Sequence, residues 1–140
     1  MPKYNTLERK IATRISRQKS VVVLRKDFDD LGGYDQVGRA LRQLVAKGVI
    51  MKIGYGLYAR TEPSYFNPGE RVPEKPLFPD LAREALTRLG VEIVPSTLQR
   101  QYMEGKHNQV LNGRLFGTTS RITRRIGYDG FYTSYERFAR

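Results

Sequence analysis

Five of the seven prolines in this 140-residue chain lie close together, between Thr61 and Pro79. Because proline has no backbone N–H and restricts the residue before it, such a stretch disfavours a regular helix or strand. We therefore predict a proline-rich linker over residues 61–77, partly ordered against one of its neighbours. It separates residues 1–60 from residues 78–140, and a fragment of residues 1–60 is expected to fold alone.

Two segments of the first part have the apolar spacing of an amphipathic helix. The apolar positions of the first segment are Tyr4, Leu7, Ile11 and Ile15. Those of the second segment are Val37, Leu41, Leu44 and Val45. Gly48 predicts the end of the second helix, because glycine tolerates the left-handed conformation that follows many helices. The second helix is therefore predicted over Tyr34–Lys47.

The stretch between these helices predicts two shorter elements. Val21–Leu24 is a β-branched run that is too short for a helix, so a brief strand is expected. Asp27 is placed to cap a short helix that begins at Phe28. Gly32 and Gly33 are expected to end that helix.

A hairpin is predicted after the second helix. The segments Val49–Ile53 and Leu57–Arg60 flank Gly54-Tyr55-Gly56, which is typical of two strands joined by a tight turn. The order of elements is then helix, strand, short helix, helix and hairpin. That order is the one found in a winged helix-turn-helix, so we predict a winged-helix DNA-binding domain over residues 1–60.

Residues 78–140 predict a small domain of one helix and an antiparallel sheet. The helix is expected over Leu81–Leu89 and is followed by Gly90. Gly127-Tyr128-Asp129-Gly130 is expected to form a hairpin turn. The predicted strands are Val91–Val94, Val110–Gly117, Arg121–Ile126 and Phe131–Tyr135. The fold class is therefore α+β, with an N-terminal winged helix-turn-helix followed by a small helix-plus-sheet domain.

The charge of the chain favours a polyanionic partner. Its 25 Lys and Arg residues against 14 Asp and Glu residues give a net charge of +11. Residues 1–60 hold 13 of the basic and 5 of the acidic side chains. Such a surplus raises the local concentration of nucleic acid and speeds its capture, although it also serves solubility. A membrane surface is not an expected partner, because no basic helix carries a large apolar face.

The polar face of the second helix carries residue types that read base edges. Arginine pairs with guanine and glutamine pairs with adenine in the major groove. A solvated helix face can have the same composition, but the short helix before it and the hairpin after it favour insertion into the groove. The candidate DNA-binding residues of this helix are Tyr34, Gln36, Arg39, Arg42, Gln43 and Lys47.

Basic and aromatic residues outside this helix are further candidates. Lys52 and Tyr55, in the hairpin, are placed to contact phosphate or the minor groove, as is Arg60. Alternatively, Tyr55 covers the edge of the sheet. Arg9 and Arg17, on the polar side of the first helix, are candidate secondary contacts to phosphate, or simply part of a solvated face.

The second part of the chain offers a rival surface. In the strand predicted over Arg121–Ile126, alternation places Arg121 and Arg125 opposite Ile122 and Ile126. Such a basic, tyrosine-rich sheet is a candidate secondary contact for nucleic acid. The rival function is an adaptor that binds RNA or a protein through this C-terminal sheet, and protective charge on an exposed sheet is the remaining alternative.

No pattern in the chain predicts catalysis. There is no cysteine and one histidine, His107, which excludes disulfides, thiolate metal sites and cysteine nucleophiles. Gly54-Tyr55-Gly56 is not a dinucleotide loop, because no helix follows it. We therefore expect a protein that is not an enzyme, with no catalytic residue, no metal site and no cofactor.

The sequence also bears on location. No apolar run approaches the roughly 20 residues that span a bilayer. Residues 1–20 lack the apolar segment of a secretory signal. We expect a cytoplasmic protein with no membrane partner.

The segments that carry these predictions resemble the AbiEi-type antitoxins. The winged-helix part of the resemblance lies in Asp27-Phe28, Leu31-Gly32, Val37–Ile50 and Gly56-Leu57-Tyr58-Ala59. The second part lies in Leu81–Leu89 and in Ser120–Ile126. The resemblance implies a transcriptional autorepressor of a type IV toxin–antitoxin system, which binds repeats in its own promoter. It also implies antagonism of a nucleotidyltransferase-like toxin, without a stable complex between the two proteins.

Overall fold

A computed structural model of the chain describes residues 6–106 and 113–139. The chain divides into two units, and the division falls between Pro76 and Leu77. The described residues form a mixed α and β structure with four α-helices and several antiparallel strands. Within these residues, each helix is too short or too polar to cross a membrane. Tyr4 and His107, which figured in the sequence predictions, lie outside the described residues.

The described part of the first unit contains helices packed with a four-stranded sheet. In chain order the elements are α1 (Leu7–Arg17), β1 (Val22–Leu24), a 3-10 helix (Arg25–Phe28), α2 (Tyr34–Ala46), β2 (Ile50–Gly54), β3 (Leu57–Pro63) and β4 (Arg71–Pro73). Strand β3 is at the centre of the sheet, and β1 and β2 pair with it on either side, both antiparallel. The fourth strand, β4, pairs antiparallel with the last residues of β3.

The helices of this unit follow the predicted apolar spacing. Ile11 and Ile15 of α1, and Val37, Leu41 and Leu44 of α2, are all at most 2% exposed. They pack with Phe28 and Tyr58 into one core. Burial of these side chains fixes which face of each helix is left to solvent.

The end of α2 also follows the prediction. Gly48 has φ 78°, its N–H donates to the carbonyl of Val45, and the N–H of Val49 donates to the carbonyl of Leu44. This pair of hydrogen bonds is the Schellman motif, which satisfies the last carbonyls of a helix.

The short helix before α2 differs from its prediction. It is a 3-10 helix that ends at Phe28, whereas the sequence predicted a start at that residue. Asp27 lies inside it, and its carboxylate accepts the N–H of Leu24 at 3.0 Å. Because this carboxylate accepts the N–H of the last residue of β1, the helical turn begins directly after the strand, earlier than predicted. Phe28 then lies in the core at 0% exposure.

The proline-rich stretch contributes to the sheet of the first unit. Strand β3 continues to Pro63, and β4 pairs with it, with Thr61 opposite Pro73 and Pro63 opposite Arg71. Pro63 is the last residue of β3, and Pro73 lies on β4, an edge strand, where a missing N–H is tolerated. The first unit therefore extends to Pro76, and the structure differs from the predicted boundary after residue 60.

Arg60 ties this extension to α1. Its Nη1 donates to the carbonyls of Ile15, at 3.0 Å, and Gln18, at 2.8 Å, at the end of the helix. Its Nη2 lies 3.1 Å from the carboxylate of Glu74. A guanidinium with these partners, and a side chain only 17% exposed, stabilises the helix end rather than reaching toward phosphate.

The described part of the second unit consists of two helices and short strands. In chain order the elements are α3 (Phe78–Arg88), β5 (Ile93–Val94), α4 (Thr97–Met103), β6 (Leu115–Thr118), β7 (Gly127–Tyr128), β8 (Phe131–Tyr132) and β9 (Ser134–Arg137). Strand β6 lies between β5, which is antiparallel to it, and β9, which is parallel to it. β7 and β8 form a separate hairpin. The predicted strand over Val110–Gly117 is found only in its last residues, and residues 110–112 lie outside the described ranges.

The hairpin turn is confirmed, and the strand predicted before it is wrong. Asp129 and Gly130 have φ values of 51° and 83°, the left-handed pair that suits a tight hairpin. The segment predicted as a strand, Arg121–Ile126, forms none. The Tyr135 hydroxyl donates to the carbonyl of Arg124 at 2.7 Å, and the Thr133 hydroxyl accepts the N–H of Ile126 at 3.2 Å. Side chains of Thr133 and Tyr135 therefore satisfy backbone groups of this segment that a neighbouring strand would otherwise bind.

Candidate nucleic-acid interface

The face of α2 opposite the core is exposed and polar. Arg39, Arg42 and Gln43 are all exposed, while Leu41 is fully buried on the opposite side. Arg39 and Gln43 also line a shallow groove between α2 and the start of α1. The structure therefore places these three predicted residues on one accessible helix face, where a ligand can reach both guanidinium and amide groups.

Two other predicted residues, Gln36 in α2 and Lys47 at its C-terminal cap, hold the helix in place. The Gln36 side-chain oxygen accepts the N–H of Gly33 at 3.3 Å, at the helix N-terminus. The Lys47 ammonium forms an ion pair with Glu8 of α1. Since an exposed ion pair is weak, Lys47 can still exchange Glu8 for another anion. Gln36 and Lys47 are thus less available for base reading than the three residues at the centre of the face.

The tip of the hairpin between β2 and β3 lies beside the start of α2. Tyr55, at the tip, is 71% exposed, and Tyr34, the first residue of α2, is 58% exposed. Their hydroxyl oxygens are 3.0 Å apart and share a hydrogen bond. This bond raises the pKa of the Tyr34 phenol above its ordinary value. Lys52 is exposed on β2, so the hairpin also carries an accessible cation.

Arg25 belongs to this cluster, although the sequence analysis did not assign it. Its guanidinium carbon lies 4.1 Å from the centre of the Tyr34 ring. Its backbone N–H donates to the carbonyl of Gly56, in the hairpin turn, at 3.1 Å. A Cβ placed on Gly38 would stand 3.0 Å from Nη2 of Arg25. A glycine inside a helix can leave room for a neighbouring group, so Gly38 is the feature of the sequence that could have pointed to Arg25.

A second basic surface lies along α1. Arg9 and Arg17 are exposed, and together with Arg14 they line a groove over this helix. Arg14 is engaged, because its guanidinium forms a two-pronged ion pair with Asp30 at 2.6 and 2.9 Å. These hydrogen bonds raise the pKa of Arg14 and lower that of Asp30. Arg9 and Arg17 lie exposed along this groove, and their role as secondary contacts to phosphate stays a prediction.

The rival surface in the second unit is not the basic sheet face that was predicted. Arg121 and Arg125 are exposed and alternate with the less exposed Ile122 and Ile126, but their segment is not a strand. The Arg125 guanidinium lies 4.2 Å from the centre of the Tyr132 ring, on β8. The arginines are thus exposed and the isoleucines less so, as predicted, but the segment is not part of a sheet.

The described residues offer no cluster of three or more histidine, cysteine, aspartate or glutamate side chains that could hold a metal ion. Comparison with known proteins gives no further guide to the site. No protein-family model, no curated protein and no solved structure matches the chain.

Proposed function

We propose that the first unit is a winged-helix domain that binds duplex DNA in a sequence-specific manner. In this proposal α2 enters the major groove and the β2–β3 hairpin acts as the wing. The observation that carries the proposal is the exposed face of Arg39, Arg42 and Gln43 on α2, a helix whose first residue, Tyr34, is hydrogen-bonded to Tyr55 at the hairpin tip. An α-helix fits the major groove, and these side-chain types pair with guanine and adenine edges there.

The charge of the first unit supports this partner. Residues 1–76 hold 15 basic and 8 acidic side chains. Several acidic groups are already engaged with basic ones, including Asp30 with Arg14 and Glu8 with Lys47. The surface that remains is cationic, and the release of counterions from DNA would favour binding.

The residues divide into two roles in this proposal. Arg39 and Gln43 read base edges, because they lie on the side of α2 turned away from the core. Lys52, Arg9 and Arg17 contact phosphate and set the register without reading sequence.

On the resemblance to AbiEi-type antitoxins, we extend the proposal to regulation. The chain would repress its own promoter and antagonise a nucleotidyltransferase-like toxin, without forming a stable complex with it. It would act in the cytoplasm by binding rather than by catalysis, with no cofactor.

The direct test is selection of a binding site by the full chain from a library of random duplexes. We expect one motif to be enriched, and the enriched duplex to bind more tightly than a structured RNA of equal charge. Enrichment of RNA over every duplex would instead favour the adaptor that works through Arg121 and Arg125.

Regulation is tested separately with a reporter driven by the promoter of the protein's own gene. Supplying the chain should lower reporter output, and Arg39→Ala should restore it. Repression that is equally strong with Arg39→Ala would remove α2 from the mechanism.

A further inference from the structure

We propose that Arg25 and Arg42 together bind one backbone phosphate of duplex DNA, on the side of α2 that faces the hairpin tip. This inference rests on the proposed function and adds a contact residue, Arg25, from the 3-10 helix before α2.

The two guanidinium groups converge over Gly38. The point where a Cβ of this glycine would stand lies 3.0 Å from Nη2 of Arg25 and 3.4 Å from Nη1 of Arg42. Within the described part of the chain, no carboxylate pairs with either group. Two like charges that converge without a carboxylate between them repel each other, and a phosphate bound by both would remove that repulsion.

The Arg25 side chain is only partly satisfied by contacts within the described residues. Its Nε is buried and has no hydrogen-bond acceptor in the described residues, which costs free energy in a folded protein. The side chain is held in place by the Tyr34 ring, whose centre is 4.1 Å from the guanidinium carbon. Tyr34 in turn shares its hydroxyl hydrogen bond with Tyr55. Arg25 is therefore held beside Tyr34 with part of its hydrogen-bonding capacity unused.

The geometry of duplex DNA would place a backbone phosphate near these two arginines. The major and minor grooves are separated by a sugar–phosphate backbone, so a helix in one groove and a hairpin tip in the next must straddle a row of phosphates. Arg25 packs on the Tyr34 ring, which is hydrogen-bonded to the hairpin tip, and Arg42 on α2 meets Arg25 over Gly38. Arginine is suited to this role, because its planar fork matches the geometry of a phosphate.

The first experiment uses three variants of the full chain and the duplex enriched by selection. Arg25→Met should weaken binding roughly tenfold, the scale of one charge-assisted hydrogen bond. Lys26→Met removes the same charge from the next residue and is the matched control, with a smaller loss expected. Gly38→Ala should also weaken binding, because its Cβ displaces the ends of both flexible arginine side chains.

Gly38→Ala separates binding from folding. Alanine is favoured over glycine inside a helix, so its urea midpoint should be unchanged or raised while its affinity for DNA falls. A fall in affinity that merely follows a fall in stability would overturn the inference.

The second experiment locates the phosphate. A series of duplexes, each with one neutral methylphosphonate in place of a phosphate, is titrated with the wild-type chain, Arg25→Met and Arg42→Met. We expect one position whose neutralisation weakens wild-type binding roughly tenfold but has little further effect on either variant. Variants that remain as sensitive as the wild type at every position would overturn the inference, although duplex binding itself would stand. If the wild-type chain enriches no duplex, the proposed function fails first, and this inference fails with it.

Discussion

Cutting the chain after Arg60, after Pro63 and after Pro76 should give three fragments of increasing stability. The cut after Arg60 removes Thr61, whose hydroxyl and N–H donate to the carbonyls of Gly48 and Val49 behind α2. It also removes Glu74, which pairs with Arg60 and donates its N–H to the Arg60 carbonyl at 2.9 Å. The cut after Pro63 keeps the hydrogen bonds that Thr61 donates, but it loses the contacts of β4, including the two hydrogen bonds that Arg71 donates to Thr61, and those of Glu74.

The expected losses follow from these contacts. A hydrogen bond within a protein contributes a net free energy of about 0.5–1.5 kcal/mol, so the fragment of residues 1–60 should lose roughly 3–5 kcal/mol. The fragment of residues 1–63 should lose less, roughly 1–3 kcal/mol, because it keeps the hydrogen bonds that Thr61 donates and loses only the contacts of β4 and of Glu74. A folded unit of this size has a total free energy of unfolding of about 4–11 kcal/mol. The shortest fragment should therefore be marginal, and the longest should fold.

Urea unfolding followed by far-ultraviolet circular dichroism measures this order, because α1 and α2 dominate the helical signal of each fragment. The reasoning is refuted if the fragment of residues 1–60 unfolds at the same urea concentration as that of residues 1–76. The proline-rich stretch would then be the linker that the sequence predicted.

Three further predictions concern single residues. Hydrogen bonds from Arg14 hold the pKa of Asp30 below its ordinary 3.8, so their contribution to stability should be present at neutral pH and be lost as the pH falls below about 4. Asp30→Asn should therefore flatten the fall of the melting temperature in acid, and an unchanged pH profile would show that the pair contributes nothing. Gly48→Ala should lower the free energy of unfolding of the first unit by about 1–2 kcal/mol, because φ is 78° there; an unchanged urea midpoint would show that the turn relaxes. Gly117→Ala should disrupt the second unit, because its Cβ would stand 2.4 Å from the carbonyl oxygen of Val94, while duplex binding persists; loss of binding in that variant would assign the interface to the second unit.

Local patterns predicted most of the first unit. The spacing of Ile11, Ile15, Val37 and Leu41 predicted both helices, because burial of one helix face depends on nearby residues alone.

The start of α4, in the second unit, also has a local signal in the sequence. The Ser96 hydroxyl accepts the N–H of Gln99, while the Gln99 side chain accepts the N–H of Ser96. The spacing of Ser96 and Gln99 in this reciprocal capping motif is therefore a feature from which the start of α4 could have been predicted.

Features that depend on distant residues were not predicted. The pairing of Thr61 with Pro73 joins two parts of a proline-rich stretch that has little strand character by itself. The alternation in Arg121–Ile126 correctly predicts which side chains are exposed, but no local pattern shows that the Tyr135 hydroxyl takes the carbonyl of Arg124. Alternation of apolar and polar residues predicts on which face of a segment each side chain lies, but whether the segment joins a sheet depends on a partner strand elsewhere in the chain.

The candidate site was predicted only in part for the same reason. Arg39 and Gln43 follow from the position of the core on α2, and the structure leaves both exposed. Arg25 was missed because its place depends on Tyr34 and on the space beside Gly38.

The most direct test of the proposed interface compares Arg39→Ala with the wild-type chain on two duplexes, the selected site and a scrambled sequence of the same composition. Arg137→Ala, an exposed arginine of β9 in the second unit, is the matched control and should change neither affinity. Lys52→Ala, a phosphate contact in this account, should weaken binding to both duplexes and make its salt dependence shallower by about one unit.

Fluorescence anisotropy at several salt concentrations gives each affinity. If Arg39 reads a base, Arg39→Ala should cost about 1–3 kcal/mol on the selected duplex and relax the preference at one position, with a much smaller loss on the scrambled duplex. Equal losses on the two duplexes would show that α2 supplies charge alone, and the account of this helix as the reader of DNA sequence would be contradicted.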